Sequence, residues 1–273
     1  MKKLFLGSVA LVALSLGTPA AFAAERPVPA YTPPPPPAPV YTWTGCYIGA
    51  NAGTSGGTSS VSTVAGSVVT NGPLTAPSLL AAPPGTQIAD SFNLTGFIGG
   101  FQGGCNYQVG AWVWGVEVDG AATNKEGQAF EVGLAPFLPG SQNFIVQTQE
   151  RWLVTARGKL GISGWGWFGD RTLLYVTGGG AWAKIDSSEF LAGGAFGSGH
   201  QEGSTRSGWT VGAGYEYALG YGWSIKGEYL YVRFDDWTTF TTPPFGVGNI
   251  SPINVKLYDN IFRAGMNYKF GWY

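Results

Sequence analysis

Charged side chains are scarce. The 273-residue chain has 15 Lys and Arg and 16 Asp and Glu, 11% in all, where a soluble domain usually carries about 25%. A surface so poor in charge would be badly solvated if it all faced water. The net charge of −1 supplies no field for nucleic acid, which is recognised first through its phosphates. One His and two Cys leave too few ligands for an ordinary zinc site, so neither a metal nor a cofactor is expected. Long apolar runs are missing after the N-terminus, and mean hydropathy is only +0.06. A spanning helix needs about 20 consecutive apolar residues, so a helical membrane protein is excluded.

What is abundant is glycine, with 44 residues, and aromatic side chains, 15% of the chain. Lys2 and Lys3 precede the apolar run Leu4 to Leu16, and Ala21-Phe22-Ala23 has the small-x-small form of a cleavage site. Residues 1–23 therefore read as a Sec signal peptide, which puts the two cysteines in an oxidising compartment. Residues 24–42 hold Pro27, Pro29, Pro33 to Pro37 and Pro39, a density that favours polyproline II over helix or sheet. This is a stiff periplasmic tether, or else a ligand for an aromatic groove. Residues 43–273 form the main domain.

From Trp43 onward the dominant signal has period two. In Arg263 to Phe270, Ala264, Met266, Tyr268 and Phe270 share one face, while Arg263, Gly265, Asn267 and Lys269 share the other. The pattern recurs in Cys46–Gly53, Leu94–Cys105, Trp112–Ala122, Arg151–Gly161, Leu173–Lys184, Trp209–Leu219 and Trp223–Phe234. With the last segment this makes eight, each close to the roughly ten residues a tilted strand needs to cross a bilayer.

Alternation alone fits a soluble sandwich equally well, but three features favour a membrane barrel. Rings crowd the apolar faces, among them Trp112, Trp114, Trp209, Tyr215, Tyr217 and Tyr268, as interfacial girdles require. The connections alternate in length. Those around Asn106–Ala111, Ile162–Thr172 and Gly220–Gly222 are short; Thr54–Asn93, Thr123–Glu150, Ile185–Gly208 and Asp235–Asn260 are long, the rim asymmetry of an outer-membrane barrel. An even count also returns both chain ends to one side. The expected fold is all-β, an eight-stranded antiparallel up-and-down transmembrane barrel with four long extracellular loops.

The last segment fits the polar-x-Gly-x-x-aromatic-x-aromatic form of a barrel-assembly signal, with Gly265, Tyr268 and Phe270 in the key places, followed by Gly271-Trp272-Tyr273. Taken with Trp43-Thr-Gly-Cys-Tyr47-Ile-Gly49, Gly99-Gly-Phe-Gln-Gly-Gly-Cys-Asn-Tyr107, Trp114-Gly-Val-Glu117-Val-Asp119, Arg157-Gly-Lys159-Leu-Gly161, Tyr175-Val-Thr-Gly-Gly179 and Glu228-Tyr-Leu-Tyr231, the chain resembles the outer-membrane immunogenic proteins. These are a porin-family, OmpA-like group of small barrels in Gram-negative bacteria. The resemblance covers essentially everything after Trp43. It implies an outer-membrane protein of surface-antigen or structural type and supplies no defined reaction.

With apolar positions facing lipid, the inward set holds Glu117, Asp119, Glu216 and Glu228 against Arg157, Lys159, Lys226, Arg263 and Lys269. Eight strands enclose a space that side chains just fill, and unpaired buried charge is costly. A plug of salt bridges is expected, with an ion pathway as the alternative. Cys46 opens the first strand and Cys105 closes the second at the same rim and on the outward parity, so they form a disulfide or remain two lipid-shielded thiols. His200, Glu202 and Ser204 offer the residue types of a catalytic triad on one long loop, but no triad geometry is legible, and no catalysis is expected. Loop one, Ser55–Ala89, is nearly chargeless. Loop two offers Phe130, Leu134, Phe137, Leu138, Phe144 and Ile145, apolar material suited to contact sites. The expected role is envelope-structural or surface-interacting, with a narrow diffusion channel as the runner-up. The expected partners are outer-membrane lipid and lipopolysaccharide, the barrel-assembly machinery and host or surface ligands; the barrel itself is expected to be a monomer.

Overall fold

The computed structural model describes residues 41–71, 78–81, 83–130, 144–164, 166–191, 200–239 and 250–270. The expected signal peptide and residues 24–40 of the Pro-rich segment lie outside them. Ten strands follow in order: β1 (Gly45–Asn71), β2 (Ser78–Ala81), β3 (Gln87–Val109), β4 (Trp112–Phe130), β5 (Phe144–Ser163), β6 (Thr172–Leu191), β7 (His200–Gly220), β8 (Trp223–Phe234), β9 (Trp237–Thr239) and β10 (Ile250–Phe270). Eight of them form the barrel wall, in the antiparallel order β1-β3-β4-β5-β6-β7-β8-β10. The short β2 and β9 pair onto extensions of β1 and β10.

Closure is made by β1 and β10, whose ladder runs from Cys46 opposite Phe270 to Val69 opposite Ile250. In hydrocarbon an unpaired N–H or C=O costs several kcal/mol, and this seam leaves neither edge open through the apolar band. The connections are short at one end, where Gly110-Ala111 joins β3 to β4 and Tyr221-Gly222 joins β7 to β8. Tyr221 and Gly222 have φ of 52° and 83°, the left-handed pair of a type I′ hairpin whose twist suits flanking strands. A 3₁₀ turn, Gly166–Arg171, makes the third connection at that rim. The long connections leave the other rim, which is the extracellular one by the asymmetry of such barrels.

The strands run well beyond the expected segments. The stretch Cys46–Gly53 is the base of a 27-residue strand, and much of the expected loop one is strand in β1, β2 and β3. The reason is physical. Sequence alternation stops where the outer face turns from apolar to hydroxyl and amide, but hydrogen-bonded pairing continues above the lipid, because Thr and Ser rungs are tolerated on a solvated wall. For the same reason His200, Glu202 and Ser204 lie in strand β7, opposite Glu189, Ser187 and Ile185, and not in a loop. Of loop two, residues 131–143 lie outside the described residues, as do the side chains of Phe130, Phe144, Ile145, His200 and Glu202.

Cys46 stands opposite Cys105 in the β1–β3 ladder, and the two are joined by a disulfide across 59 residues of sequence. The bond sits on the outer surface near the short-turn rim. Loop-closure entropy for a span of that length corresponds to roughly 4 kcal/mol as an upper bound. Urea-unfolded protein should therefore show no free thiol until reductant is added, and C46S/C105S should unfold at lower urea; two titratable thiols without reductant would contradict the bond.

Candidate functional site

The inward positions of all eight wall strands meet in one polar network at mid-barrel. Register creates the first pairs: Glu117 faces Arg157 across β4–β5, Glu216 faces Lys226 across β7–β8, and Glu228 faces Arg263 across β8–β10. Long side chains then cross the lumen. Arg157 donates through Nη2 to Glu117 Oε1 at 2.5 Å and Asp119 Oδ2 at 2.8 Å, and through Nη1 to Glu228 Oε1 at 2.9 Å. Arg263 Nη1 donates to Asp119 Oδ1 at 2.8 Å, and its Nε to Glu228 Oε2 at 2.8 Å. Lys226 Nζ bonds both oxygens of Glu117, at 2.8 and 2.9 Å. These forked guanidinium contacts hold their carboxylates in fixed planes.

Aromatic hydroxyls and amides complete it. Tyr47 Oη donates to Glu117 Oε2 at 2.6 Å, and Tyr175 Oη to Glu228 Oε1 at 3.1 Å. The Lys159 ammonium lies 5.1 and 4.4 Å from the centroids of the Tyr47 and Tyr175 rings, a favourable seat for a buried cation. The rings lie close against the wall because Gly104 and Gly214 present no Cβ there; one at either position would collide with Tyr47 or Tyr175. Below, Glu216 Oε1 accepts from Ser224 Oγ and Asn267 Nδ2 at 2.5 and 2.8 Å, and Gln102 links Asn51 to Asn267. Four acids meet four bases, each 5% exposed or less, so the tier is electrically neutral.

The periplasmic mouth is filled by Trp43. Its indole packs with Val113, Leu173, Tyr175 and Ala218 while Nε1 donates to Ser163 Oγ at 3.1 Å and the backbone N–H to Gln108 Oε1 at 2.7 Å. Lys269 stands apart from the network: its ammonium caps the Thr42 carbonyl and lies 4.4 Å from the Tyr41 ring centroid. Its inward parity is as expected, but it sits two rungs below Asn267, level with the mouth, too low to reach the other charges. Of the assembly-signal residues, Tyr268 and Phe270 face outward at the short-turn rim and Gly265 faces the lumen beside Gln102.

The chain matches the family described as outer membrane protein beta-barrel domain over residues 9–270. It belongs to that family. The 31 kDa outer-membrane immunogenic protein of Brucella melitensis is 30% identical over 272 residues, covering 99% of this chain and 100% of the relative, and that of Brucella suis matches to the same extent. Two solved barrels are also similar. OprG of Pseudomonas aeruginosa has 14% identity and TM-score 0.41, covering 83% of this chain and 97% of its own; Neisserial surface protein A has 13% identity and TM-score 0.36, covering 83% and 98%. The family rests on the sequence matches. This member of the outer membrane protein beta-barrel family is thus an outer-membrane protein related to immunogenic ones.

Above the neutral tier the barrel of this family member departs from a purely ionic lumen. Ile98, Ala121, Leu153, Ala181, Leu230 and Ile261 form an inward apolar layer, continued upward by Phe92, Phe234, Leu257 and Trp237. Strand β8 shows why sequence alternation concealed it: Leu230, Val232 and Phe234 face in while Tyr229 and Tyr231 lie on the other face, so both faces carry apolar or aromatic side chains. Within this layer sits a second charged cluster that the sequence reading missed. Lys125 Nζ contacts Asp259 Oδ2 at 2.5 Å and Glu150 Oε2 at 2.6 Å, with all three side chains at 1% exposure or less. Those residues fell in the expected loops. Parity could have found two of them, since Lys125 continues the inward series Glu117, Asp119, Ala121 and Asp259 continues Arg263, Ile261; Glu150 breaks the inward series Arg157, Thr155, Leu153 and turns inward at an irregularity between Glu150 and Trp152.

Removing one member of a buried ion cluster leaves its partners uncompensated, at a cost of about 3 to 5 kcal/mol. Glu228→Gln and Lys125→Met should each lower the stability of the refolded barrel by about that much in urea. Replacing Lys125, Glu150 and Asp259 together by Met, Gln and Asn should recover most of the loss. Equal stability of Glu228→Gln and wild type would mean that the network contributes nothing.

Proposed function

We propose that this outer-membrane barrel is a closed, non-catalytic wall element that serves the envelope as a structural and surface-interacting protein. The observation that carries the reading is the filled interior: Trp43 at the mouth, a neutral ion network across the middle and an apolar layer above. A barrel of eight strands has room for side chains and little else, and these are tied to one another by charge-assisted bonds across the lumen. Solute passage would require several of them to break together. The extended wall above the lipid then becomes the natural contact surface, with ligands engaged at the extracellular rim.

The remaining roles fit the same reading. Residues 1–23 direct export through the Sec route, and the Pro-rich segment tethers the barrel on the periplasmic side. The terminal Gly265, Tyr268 and Phe270 form the element read by the barrel-assembly machinery, and the barrel works as a monomer among outer-membrane lipids and lipopolysaccharide. His200, Glu202 and Ser204 alternate along strand β7, and residue types without a triad's geometry do not make a catalytic site.

Refolded protein in planar bilayers should show no steady single-channel current at neutral pH and moderate voltage. Regular conductance steps that rise on shortening Trp43 to Ala would replace this reading with a narrow diffusion channel for small solutes.

A further inference from the structure

Two irregularities in the wall deliver the Lys125 cluster to the interior. Strand β4 loses register against β5 between Ala122 and Lys125, and β5 loses register against β6 between Glu150 and Trp152. Strict alternation from Arg157, Thr155 and Leu153 would carry Arg151 inside and Glu150 outside. The irregularity reverses them, leaving Arg151 exposed and Glu150 buried. Bulges re-aim a side chain at the expense of local pairing, and here the result is a second carboxyl group beside an ammonium that Asp259 already engages. Two glycines make the room. A Cβ at Gly57 would collide with Asp259 Oδ1, and one at Gly96 with the Lys125 backbone.

Charge in the cluster does not balance. Lys125 supplies one positive charge, and Glu150 and Asp259, if both were ionised, would supply two negative ones with almost no contact with solvent. Lys125 Nζ donates to Asp259 Oδ2 at 2.5 Å and to Ser55 Oγ at 3.4 Å. Glu150 is held differently. Its Oε2 lies 2.6 Å from Nζ, yet neither of its oxygens accepts a directed hydrogen bond from a protein group, and Asp259 Oδ1 is orphaned as well. One proton on Glu150 removes the surplus charge and turns an orphaned acceptor into a donor.

Among the described residues, the inward side chains near this level that neighbouring strands contribute are uncharged, including Ser55 and Ser59 on β1, Leu94 on β3, Ile185 on β6 and Leu230 on β8. Arg263 on β10 lies a tier below and is committed to Asp119 and Glu228. Arg206 on β7 sits over the Trp237 ring, while Glu126 and the Arg151–Asp186 pair lie on the outer face. Outward residues at this level, Asn124, Glu126, Arg151 and Asn260, are polar, so the cluster stands above the apolar band. Burial, opposed by Lys125 and reinforced by Asp259, pushes the Glu150 carboxyl up to about 8.

We propose that Lys125, Glu150 and Asp259 form a proton-binding site in which Glu150 stays protonated at neutral pH, and that release of this proton in alkaline medium loosens the wall above the lipid. Protonated, the cluster is neutral. Deprotonated, it carries one uncompensated negative charge beside an apolar layer, where the β4 and β5 ladders are already irregular. A carboxyl raised above its ordinary 4.5 binds its proton more tightly in the barrel than in the unfolded chain. The stability it contributes is therefore complete at acid pH, falls as pH climbs past 4.5 and is gone above about 8. The site needs this fold and not a closed lumen, so a conducting barrel that keeps the proton would overturn the proposed function alone.

Full-length protein refolded in neutral detergent would be compared with its E150Q variant, in which a neutral amide stands for the neutral acid. Infrared difference spectra at neutral pH should show the carbonyl band of a protonated carboxylic acid in the wild type and not in E150Q, and the band should vanish as pH passes about 8. In urea the two should be equally stable at acid pH. Between pH 4.5 and 8 E150Q should gain about tenfold in the folding equilibrium constant per pH unit. Amide hydrogen exchange in alkaline medium should be faster in the wild type than in E150Q around Lys125 and Glu150, and equal around Glu117 and Arg157. Should E150Q fail to fold, D259N takes its place, because Glu150 then ionises against Lys125 and the acid band is lost as well. Absence of the acid band from the wild type, or an E150Q less stable than wild type at neutral pH, would overturn the site; equal exchange near Lys125 would overturn the loosening. Wild-type stability that rises with sodium chloride while E150Q does not respond, with no acid band, would assign the balancing charge to a bound cation and overturn the proton.

Discussion

Backbone hydrogen bonding in a medium without water governs this molecule. Each peptide group in the apolar band must find its partner on a neighbouring strand, and the β1–β10 seam meets that demand for the two strands that would otherwise be edges. Once the sheet closes on eight strands, the radius is set, and with it the size of the interior. The ion network follows from the closure. Inward residues from strands far apart in sequence, such as Asp119 on β4 and Arg263 on β10, arrive within hydrogen-bond reach because a narrow cylinder leaves them nowhere else to point.

The interior is stratified. A Trp43 cap, a neutral tier of four acids and four bases, an apolar layer and the Lys125 cluster lie in succession from the periplasmic mouth upward. The neutral tier is well suited to its setting, since each carboxylate is engaged by at least one cation or hydrogen-bond donor and the charges sum to zero. The Lys125 cluster is less balanced, with two carboxylates around one ammonium. It is buried at 1% exposure or less beside the inward apolar layer, where loss of a single partner is costly.

Much of this was legible from pattern. Alternation in Arg263–Phe270 and its seven counterparts specified strands, their faces and their number, and the length of the connections specified which rim carries them. The inward charges Glu117, Asp119, Arg157, Lys159, Glu216, Lys226, Glu228 and Arg263 were visible as the polar face of those strands. Strand ends were not legible, because pairing above the lipid does not require an apolar outer face, and Ser, Thr and Gly from Thr54 to Thr63 read as loop. Lys125, Glu150 and Asp259 were lost with those ends. Lys269 was placed on the correct face and at the wrong height, since parity carries no information about depth.

The amino-acid sequence by itself determined the closed sheet, its strand count, the inward and outward faces and the family, because a period of two is a local property that any eight consecutive residues display. Tertiary structure alone decided which charges meet, that Trp43 turns into the mouth and that the upper interior is apolar. Those outcomes depend on shear and register between strands whose paired residues lie as far apart as Cys46 and Phe270, and such relations exist only after the cylinder has closed.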